Sequence, residues 1–276
     1  MLAIVTAQAR GIEPQEDLLH DQAEFTHQSF QARIEQLNRG EGIGGRAMTV
    51  AYGLWALSLA DWPADETTEA MVTYLLKTQA EDGRWIRQTE RPPLEESYVT
   101  STVLAVRGIK RYATTTQMAD SKASIAKARE WLNSAPLKSH EDRVTQLWGA
   151  HLFDAEAKTI ESARESVLQA QRDDGGWGQL DDMASDAYAT GQTLWVLQAT
   201  GFDPRHPAYR RGVDFLLQSQ RDDGSWFVAS RSKPIQTFFD NGDPHGKDQF
   251  ISTPAACWAL AALAAVPRPG LEPGTH

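Results

Sequence analysis

The chain has 276 residues, 41% of them hydrophobic, which is enough for one sizeable core or two small domains. Its 27 basic and 37 acidic residues give a formal net charge of −10. So acidic a surface repels nucleic-acid phosphates and anionic lipid headgroups, and nucleic-acid partners are disfavoured. The single cysteine, Cys257, excludes an internal disulfide and a zinc site built from several thiolates.

The N-terminal segment 1–9 is apolar but lacks the basic region and the cleavage site of a signal peptide. The longest apolar stretch, 251–266, is interrupted by Ser252, Thr253 and Pro254, so it is too short to span a bilayer. We therefore expect no membrane span and a cytoplasmic location.

Amphipathic periodicity predicts helices of two alternating types along the chain, about five of each. The more apolar helices are expected over 46–60, 100–108, 141–152, 190–200 and 252–265. The more polar ones include 68–78, 163–170 and 211–219.

A seven-residue pattern, Gln-x-x-Asp-Gly-x-Trp, follows three of the polar helices and occupies 79–85, 171–177 and 220–226. The first interval is nearly twice the second, so a degenerate copy is expected near residue 130. The glycine allows the left-handed conformation that ends a helix. The glutamine amide and the indole can hydrogen-bond and stack, and we expect them to hold the turn against the neighbouring repeat.

A second pattern, acid-x-aromatic-x-hydroxyl, opens three of the apolar helices and occupies 96–100, 186–190 and 248–252. Repeated helix pairs of this kind stack side by side and bury a continuous core. The sequence therefore predicts an all-α fold, an α/α toroid of about five helix pairs that need not form a complete ring. We expect one domain over 1–276, with the repeats over about 23–265.

The repeated turn resembles the QW motif of the squalene–hopene and oxidosqualene cyclases and of the wider prenyltransferase/squalene-cyclase repeat family. The stretches 185–192 and 244–252 are similar to stand-alone bacterial members of that family. The resemblance covers about 23–265 and implies a toroid with a central cavity. It also implies an isoprenoid or other long apolar ligand and cyclase-like chemistry.

The chain departs from the catalytic residues of the family. The cyclases open an inner helix with Asp-x-Asp-Asp-Thr, whose middle Asp is the proton donor. This element falls on 186–190, where Asp186 keeps the first acid but Tyr188 stands at the donor position. A phenol with a pKa of about 10 is too weak an acid to protonate an alkene.

The zinc set of the prenyltransferases is also incomplete. Asp186 matches its Asp, but Tyr188 replaces its Cys and Ile251 its His. We therefore expect no metal and no cofactor.

Four residues are the candidates for catalysis: Asp186, Tyr188, Asp248 and His245. Capping is the favoured explanation for the acids, including Glu96, because a carboxylate before a helix accepts its free N–H groups, while Asp186 also aligns with the first acid of the cyclase element. The two roles predict opposite pKa shifts. A catalytic acid needs a raised pKa, whereas a cap is expected to have a lowered one.

The candidate substrate-binding residues are Tyr98, Phe250, Lys247, Thr190 and Trp195. Tyr98, Tyr188 and Phe250 would form an aromatic collar able to stabilise a carbocation, or would simply pack between helices. Lys247 and His245 precede the last helix, either as an anion contact or as part of a solvated loop.

Three functions remain open, and the central cavity distinguishes them. A closed apolar pocket ending at Asp186 favours a cyclase-like enzyme, and a filled ring favours a non-catalytic binding or scaffold module. An open polar cleft favours a hydrolase with His245 and Asp248 as its base system. A homo-oligomer or a separate partner domain that completes the ring is also open.

Overall fold

The computed structural model describes residues 1–12, 17–233 and 237–266. Over these ranges the chain is all-helical, apart from two isolated β-bridges. None of the helices described is long and apolar enough to cross a membrane. The α-helices are α1 (Leu2–Gln8), α2 (Leu18–Gln31), α3 (Ile34–Arg39), α4 (Arg46–Leu59), α5 (Glu66–Thr78), α6 (Tyr98–Tyr112), α7 (Met118–Asn133), α8 (His140–Leu152), α9 (Ala157–Gln169), α10 (Ala187–Ala199), α11 (Pro207–Ser219) and α12 (Gln249–Ala265).

The apolar helices form an inner ring. Helices α4, α6, α8, α10 and α12 contact one another in that order, and α1 lies between α12 and α4. Helices α2, α5, α7, α9 and α11 pack outside them. The predicted toroid of five helix pairs is confirmed, and α1 is an additional inner helix that was not predicted.

The glycines of all three repeated turns are left-handed, as predicted, with φ values of +96°, +86° and +83° at Gly83, Gly175 and Gly224. The indole N–H of each motif tryptophan donates to a carbonyl ten residues earlier, at 2.8 Å for Trp85 and 2.9 Å for Trp177 and Trp226. The tryptophan thus binds the turn to its own outer helix, not to the neighbouring repeat as expected.

The motif glutamine makes the contact between repeats. The side-chain amide of Gln79 donates to the carbonyl of Ser124 on α7 at 2.9 Å. That of Gln171 donates to the carbonyl of Ala208 on α11 at 2.7 Å. The first and second turns therefore each dock on the next outer helix.

The third turn makes no such contact with a following outer helix in the described part of the chain. The amide of Gln220 donates only to the carbonyl of Gly224, within its own turn. A Cβ atom added to Gly83 or Gly175 would lie 2.3 Å or 2.6 Å from a carbonyl oxygen of the next helix, whereas one added to Gly224 would meet only the Gln220 amide, at 4.0 Å.

Candidate functional site

The inner helices place two layers of side chains towards the centre of the ring, seven residues apart and hence on one helix face. The upper layer, near the helix N-termini, is Met48, Thr100, Glu141, Tyr188 and Ile251, all of them buried. The lower layer is Trp55, Arg107, Trp148, Trp195 and Trp258.

The upper layer contains a buried acid, Glu141, in the first turn of α8. Its side chain accepts a hydrogen bond from the Thr100 hydroxyl at 2.7 Å and one from the Tyr188 hydroxyl at 2.9 Å. The Thr145 hydroxyl lies 3.1 Å from that of Thr100. Three neighbouring inner helices, α6, α8 and α10, thus meet at this carboxyl group.

Burial raises the pKa of Glu141 from 4.5 to about 7, and the charges of Asp142 and Glu96 act in the same direction. The hydrogen bonds from Thr100 and Tyr188 oppose this shift. Burial also raises the pKa of the Tyr188 phenol, with the charge of Glu141 as the next cause. Glu141 therefore keeps its proton to a far higher pH than a surface glutamate does, and the Tyr188 phenol is neutral at neutral pH.

Four indoles fill the centre of the lower layer. Ring centroids are 5.3 Å apart for Trp55 and Trp148, 5.3 Å for Trp148 and Trp195, and 5.5 Å for Trp195 and Trp258. Trp55 on α4 reaches indoles on α8, α10 and α12, so the rings meet across the toroid. The Arg107 guanidinium lies 5.5 Å from the Trp148 ring centroid, in cation–π contact.

The upper end of the ring is covered above Glu141 and Tyr188. The crevice that Pro93, Gln179 and Arg231 form with them is too narrow for a water molecule. The Arg231 guanidinium pairs with Glu96 and donates to the Gln179 side chain at 2.8 Å. These contacts join the loop before α6 to the segment before α12.

A cavity of about 220 Å³ opens beside this cover. It reaches Met48 and Tyr52 on α4, and Arg87, Leu94 and Glu95 of the loop before α6 line its other side. The Tyr52 ring centroid lies 6.2 Å from that of Trp55. The cavity therefore borders the upper layer at Met48, and its lining residue Tyr52 lies next to Trp55 of the lower layer.

Asp186 is the N-cap of α10 and also has a raised pKa. Its side chain accepts from the backbone N–H of Ala189 at 2.9 Å and from the Gln179 amide at 3.0 Å. Burial nevertheless outweighs these hydrogen bonds and raises its pKa above the ordinary value. We expected a lowered pKa for a cap and a raised pKa for a catalytic acid. Asp186 does not fit this distinction, because it caps the helix and its burial also raises its pKa.

The three collar aromatics lie in different surroundings. Tyr98 lies beneath the guanidinium groups of Arg84 and Arg87, each 4.9 Å from its ring centroid. Phe250 is 40% exposed, whereas Tyr188 is 1% exposed. Within the described ranges no ring pairing joins them, and the aromatic cluster that does form contains Trp195 instead.

The side chains of the loop before α12 form hydrogen bonds with the third turn and the segment that follows it. His245 lies 2.9 Å from the hydroxyl of Ser225 in the third turn, and Asp248 accepts from the backbone N–H of Ser230 at 2.7 Å. Lys247 is exposed. No contact in the described ranges brings these three side chains to Asp186 or Tyr188.

Thr190 supports the fold. It is fully buried, and its hydroxyl accepts the backbone N–H of Trp177 at 2.9 Å. This bond ties α10 to the second turn. The described residues also contain no group of three His, Cys, Asp or Glu side chains that could hold a metal ion.

Glu141 was not among the predicted site residues. It precedes Trp148 by seven positions, as Tyr188 precedes Trp195 and Ile251 precedes Trp258. This shared seven-residue interval could have indicated from the sequence that Glu141 lies in the same layer as Tyr188.

Comparisons with known proteins address the family and the fold. Residues 144–231 match the family model of the squalene-hopene cyclase C-terminal domain. The solved structure of ent-copalyl diphosphate synthase from Streptomyces platensis superposes with a TM-score of 0.57 at 16% identity. The predicted resemblance to the squalene-cyclase repeat family is confirmed. The superposition covers 96% of this chain but 48% of the synthase, so the chain spans about half of that structure. No curated protein sequence matches this chain.

Proposed function

We propose that the chain binds an isoprenoid or similarly long apolar ligand in the centre of its ring and protonates it, with Glu141 as the source of the proton. The observation that carries this proposal is a buried carboxyl group with a pKa of about 7, hydrogen-bonded to Tyr188. An ordinary surface glutamate is almost fully ionised at neutral pH and has no proton to give.

Tyr188 is proposed to assist the acid rather than to carry its proton. Protonated Glu141 gives its proton directly to an alkene or epoxide of the ligand, and the hydrogen bond that the Tyr188 hydroxyl donates to the carboxyl group stabilises the carboxylate that remains. The resulting ligand cation closes a ring and later loses a proton, which restores Glu141. No net proton is consumed, and the product is an isomer of the ligand.

The other residues have supporting roles in this proposal. The indoles of the lower layer, Trp195 among them, face a developing cation with their π electrons, at about 0.5–2 kcal/mol per contact. Asp186 holds the start of α10 and so positions Tyr188, two residues later. Ligand binding requires the packed indoles to move apart, so it should change tryptophan fluorescence.

A second candidate is a non-catalytic binding or scaffold module. The four indoles that fill the ring centre favour it, because they leave no open cavity between themselves. On this account Glu141 only joins the three inner helices.

One experiment distinguishes the two candidates. Wild type, Glu141→Gln and the exposed control Glu66→Gln are incubated with a lipid and isoprenoid extract, and mass spectrometry identifies what each retains and changes. We expect wild type and the control to retain an isoprenoid, alter tryptophan fluorescence and form an isomer of it. Glu141→Gln should retain the same compound without changing it.

Equal product from Glu141→Gln would contradict the acid role. No retention and no fluorescence change in any variant would contradict ligand binding and leave the scaffold module.

A further inference from the structure

The lower layer of the ring contains two buried hydrogen-bond donors that have no acceptor in the described part of the chain. One is the indole N–H of Trp55 on α4, and the other is the Nε N–H of Arg107 on α6. The Trp55 residue as a whole is 8% exposed. Burial of a donor without an acceptor is destabilising, so both groups are ready to bind one.

The two donors lie close together, at one level of the ring. Helices α4 and α6 are neighbours, and a Cβ atom added to Gly108 would lie 2.7 Å from the side chain of Leu54. The Trp148 ring lies beside both donors, with its centroid 5.3 Å from that of Trp55 and 5.5 Å from the Arg107 Cζ. Trp55 and Arg107 therefore adjoin the same small region beside Trp148.

The Arg107 guanidinium also lacks a counter-charge. Burial lowers its pKa, and no carboxylate in the described residues acts against this shift. Other cations at this end of the ring are bound, because Arg10, Lys110 and Arg164 each donate to a backbone carbonyl at the end of an inner helix. Arg107 instead lies against the face of an indole.

The lower layer is accessible from outside the ring. Arg107, Trp195 and Trp258 are partly exposed, whereas all five residues of the upper layer are buried. A polar group of a ligand can therefore reach Arg107 without passing the cover above Glu141.

We propose that Arg107 and Trp55 bind the carboxylate of an isoprenoid acid or of another long apolar acid. The inference rests on the proposed function for the apolar chain of this ligand and specifies its polar end. A carboxylate has two acceptor oxygens, one for the guanidinium and one for the indole N–H. Its single charge matches that of Arg107, whereas a diphosphate would keep several charges without a partner.

A carboxylate at this place also suits the proposed chemistry. Thr100, which donates to Glu141, precedes Arg107 by seven residues on α6, or about 10 Å along the helix axis. A chain held at Arg107 by its carboxylate can therefore extend along the ring to the acid. A free guanidinium beside Trp148 would repel a ligand cation, and the carboxylate removes this repulsion.

The test compares farnesoic acid with farnesol, which have the same isoprenoid chain and differ in the head group. Isothermal titration calorimetry with the full chain, at about pH 7.5 where the free acid is ionised, measures the binding of both. We expect wild type to bind the acid at least about tenfold more tightly than the alcohol. Arg107→Gln should lose this preference and bind both compounds as wild type binds the alcohol. Trp55→Phe keeps an aromatic ring without the N–H and should reduce the preference by about threefold.

Arg111→Gln is the matched control, because Arg111 is an exposed arginine one turn later on the same helix. It should behave as wild type. Equal binding of acid and alcohol by wild type, or binding of neither, would overturn the inference, as would a preference that Arg107→Gln retains. An Arg107-dependent preference that is larger for farnesyl diphosphate than for farnesoic acid would also overturn it.

A failure of this inference is distinguishable from a failure of the proposed function. Glu141→Gln keeps both donors, so it should retain the preference for the acid although it forms no isomer. A wild type that isomerises an isoprenoid but binds acid and alcohol equally would overturn the carboxylate site alone. Equal isomer formation by Glu141→Gln, together with an Arg107-dependent preference, would overturn the acid role alone.

Discussion

Gly175→Ala is expected to destabilise the protein by about 2–3 kcal/mol more than Gly224→Ala. Both glycines have the same left-handed conformation in the same motif, so the backbone cost of alanine, about 1 kcal/mol, is shared. Only the Cβ atom at 175 collides, 2.6 Å from the Arg211 carbonyl oxygen, and must push α11 away. Overpacking of this kind costs about 1–3 kcal/mol or more.

Urea denaturation of the two variants measures this difference directly. Gly224→Ala serves as the control, because nothing but the Gln220 amide lies near its added Cβ. Equal losses of stability in the two variants would show that docking between the second turn and α11 contributes nothing to the free energy of unfolding.

Glu141→Gln is expected to change the pH dependence of stability. The pKa of Glu141 is raised in the folded state, from 4.5 to about 7, so the folded protein binds more protons than the unfolded chain between these values. Its contribution to stability is present below pH 4.5 and is lost as the pH rises to about 7, by up to about 1.4 kcal/mol per pH unit.

His140 acts in the opposite direction over part of the same range. Burial lowers its pKa from 6.5 to about 3, so its contribution is lost as the pH falls below 6.5. In wild type the contributions of Glu141 and His140 to the pH dependence of stability largely cancel between pH 4.5 and 6.5.

Glu141→Gln removes the contribution of Glu141 to the pH dependence of stability and leaves that of His140. The stability of Glu141→Gln relative to wild type should therefore rise from pH 4.5 to 7 and then become constant. Urea denaturation at several pH values measures this, and Glu66→Gln should run parallel to wild type. A difference between Glu141→Gln and wild type that does not vary with pH would contradict the raised pKa.

The fold was predictable because residues within each repeat mark where its helices begin and end. The glycines at 83, 175 and 224 mark the ends of outer helices, and the apolar runs between them have helical period. Helix α1 was missed because a mostly apolar segment of seven residues without a motif does not show that it packs in the ring. Its place between α12 and α4 depends on contacts between the two ends of the chain.

The site was less predictable because it depends on which side chains meet across the ring. Asp186 and Tyr188 were found through their pattern, but the partner of Tyr188 lies on another helix, 47 residues earlier. His245 and Asp248 lie close to α12 in sequence, yet their partners lie in the preceding turn and segment. Sequence proximity to an inner helix therefore does not place a side chain inside the ring.

The proposed function depends on Glu141 being a buried acid with a proton to give at neutral pH. Carboxyl ¹³C NMR of glutamate-labelled protein, titrated from pH 3 to 9 and assigned with Glu141→Gln, measures this directly. We expect one glutamate to titrate near pH 7 and its signal to be missing from the variant. A Glu141 signal that titrates near 4.5, with the surface glutamates, would contradict it.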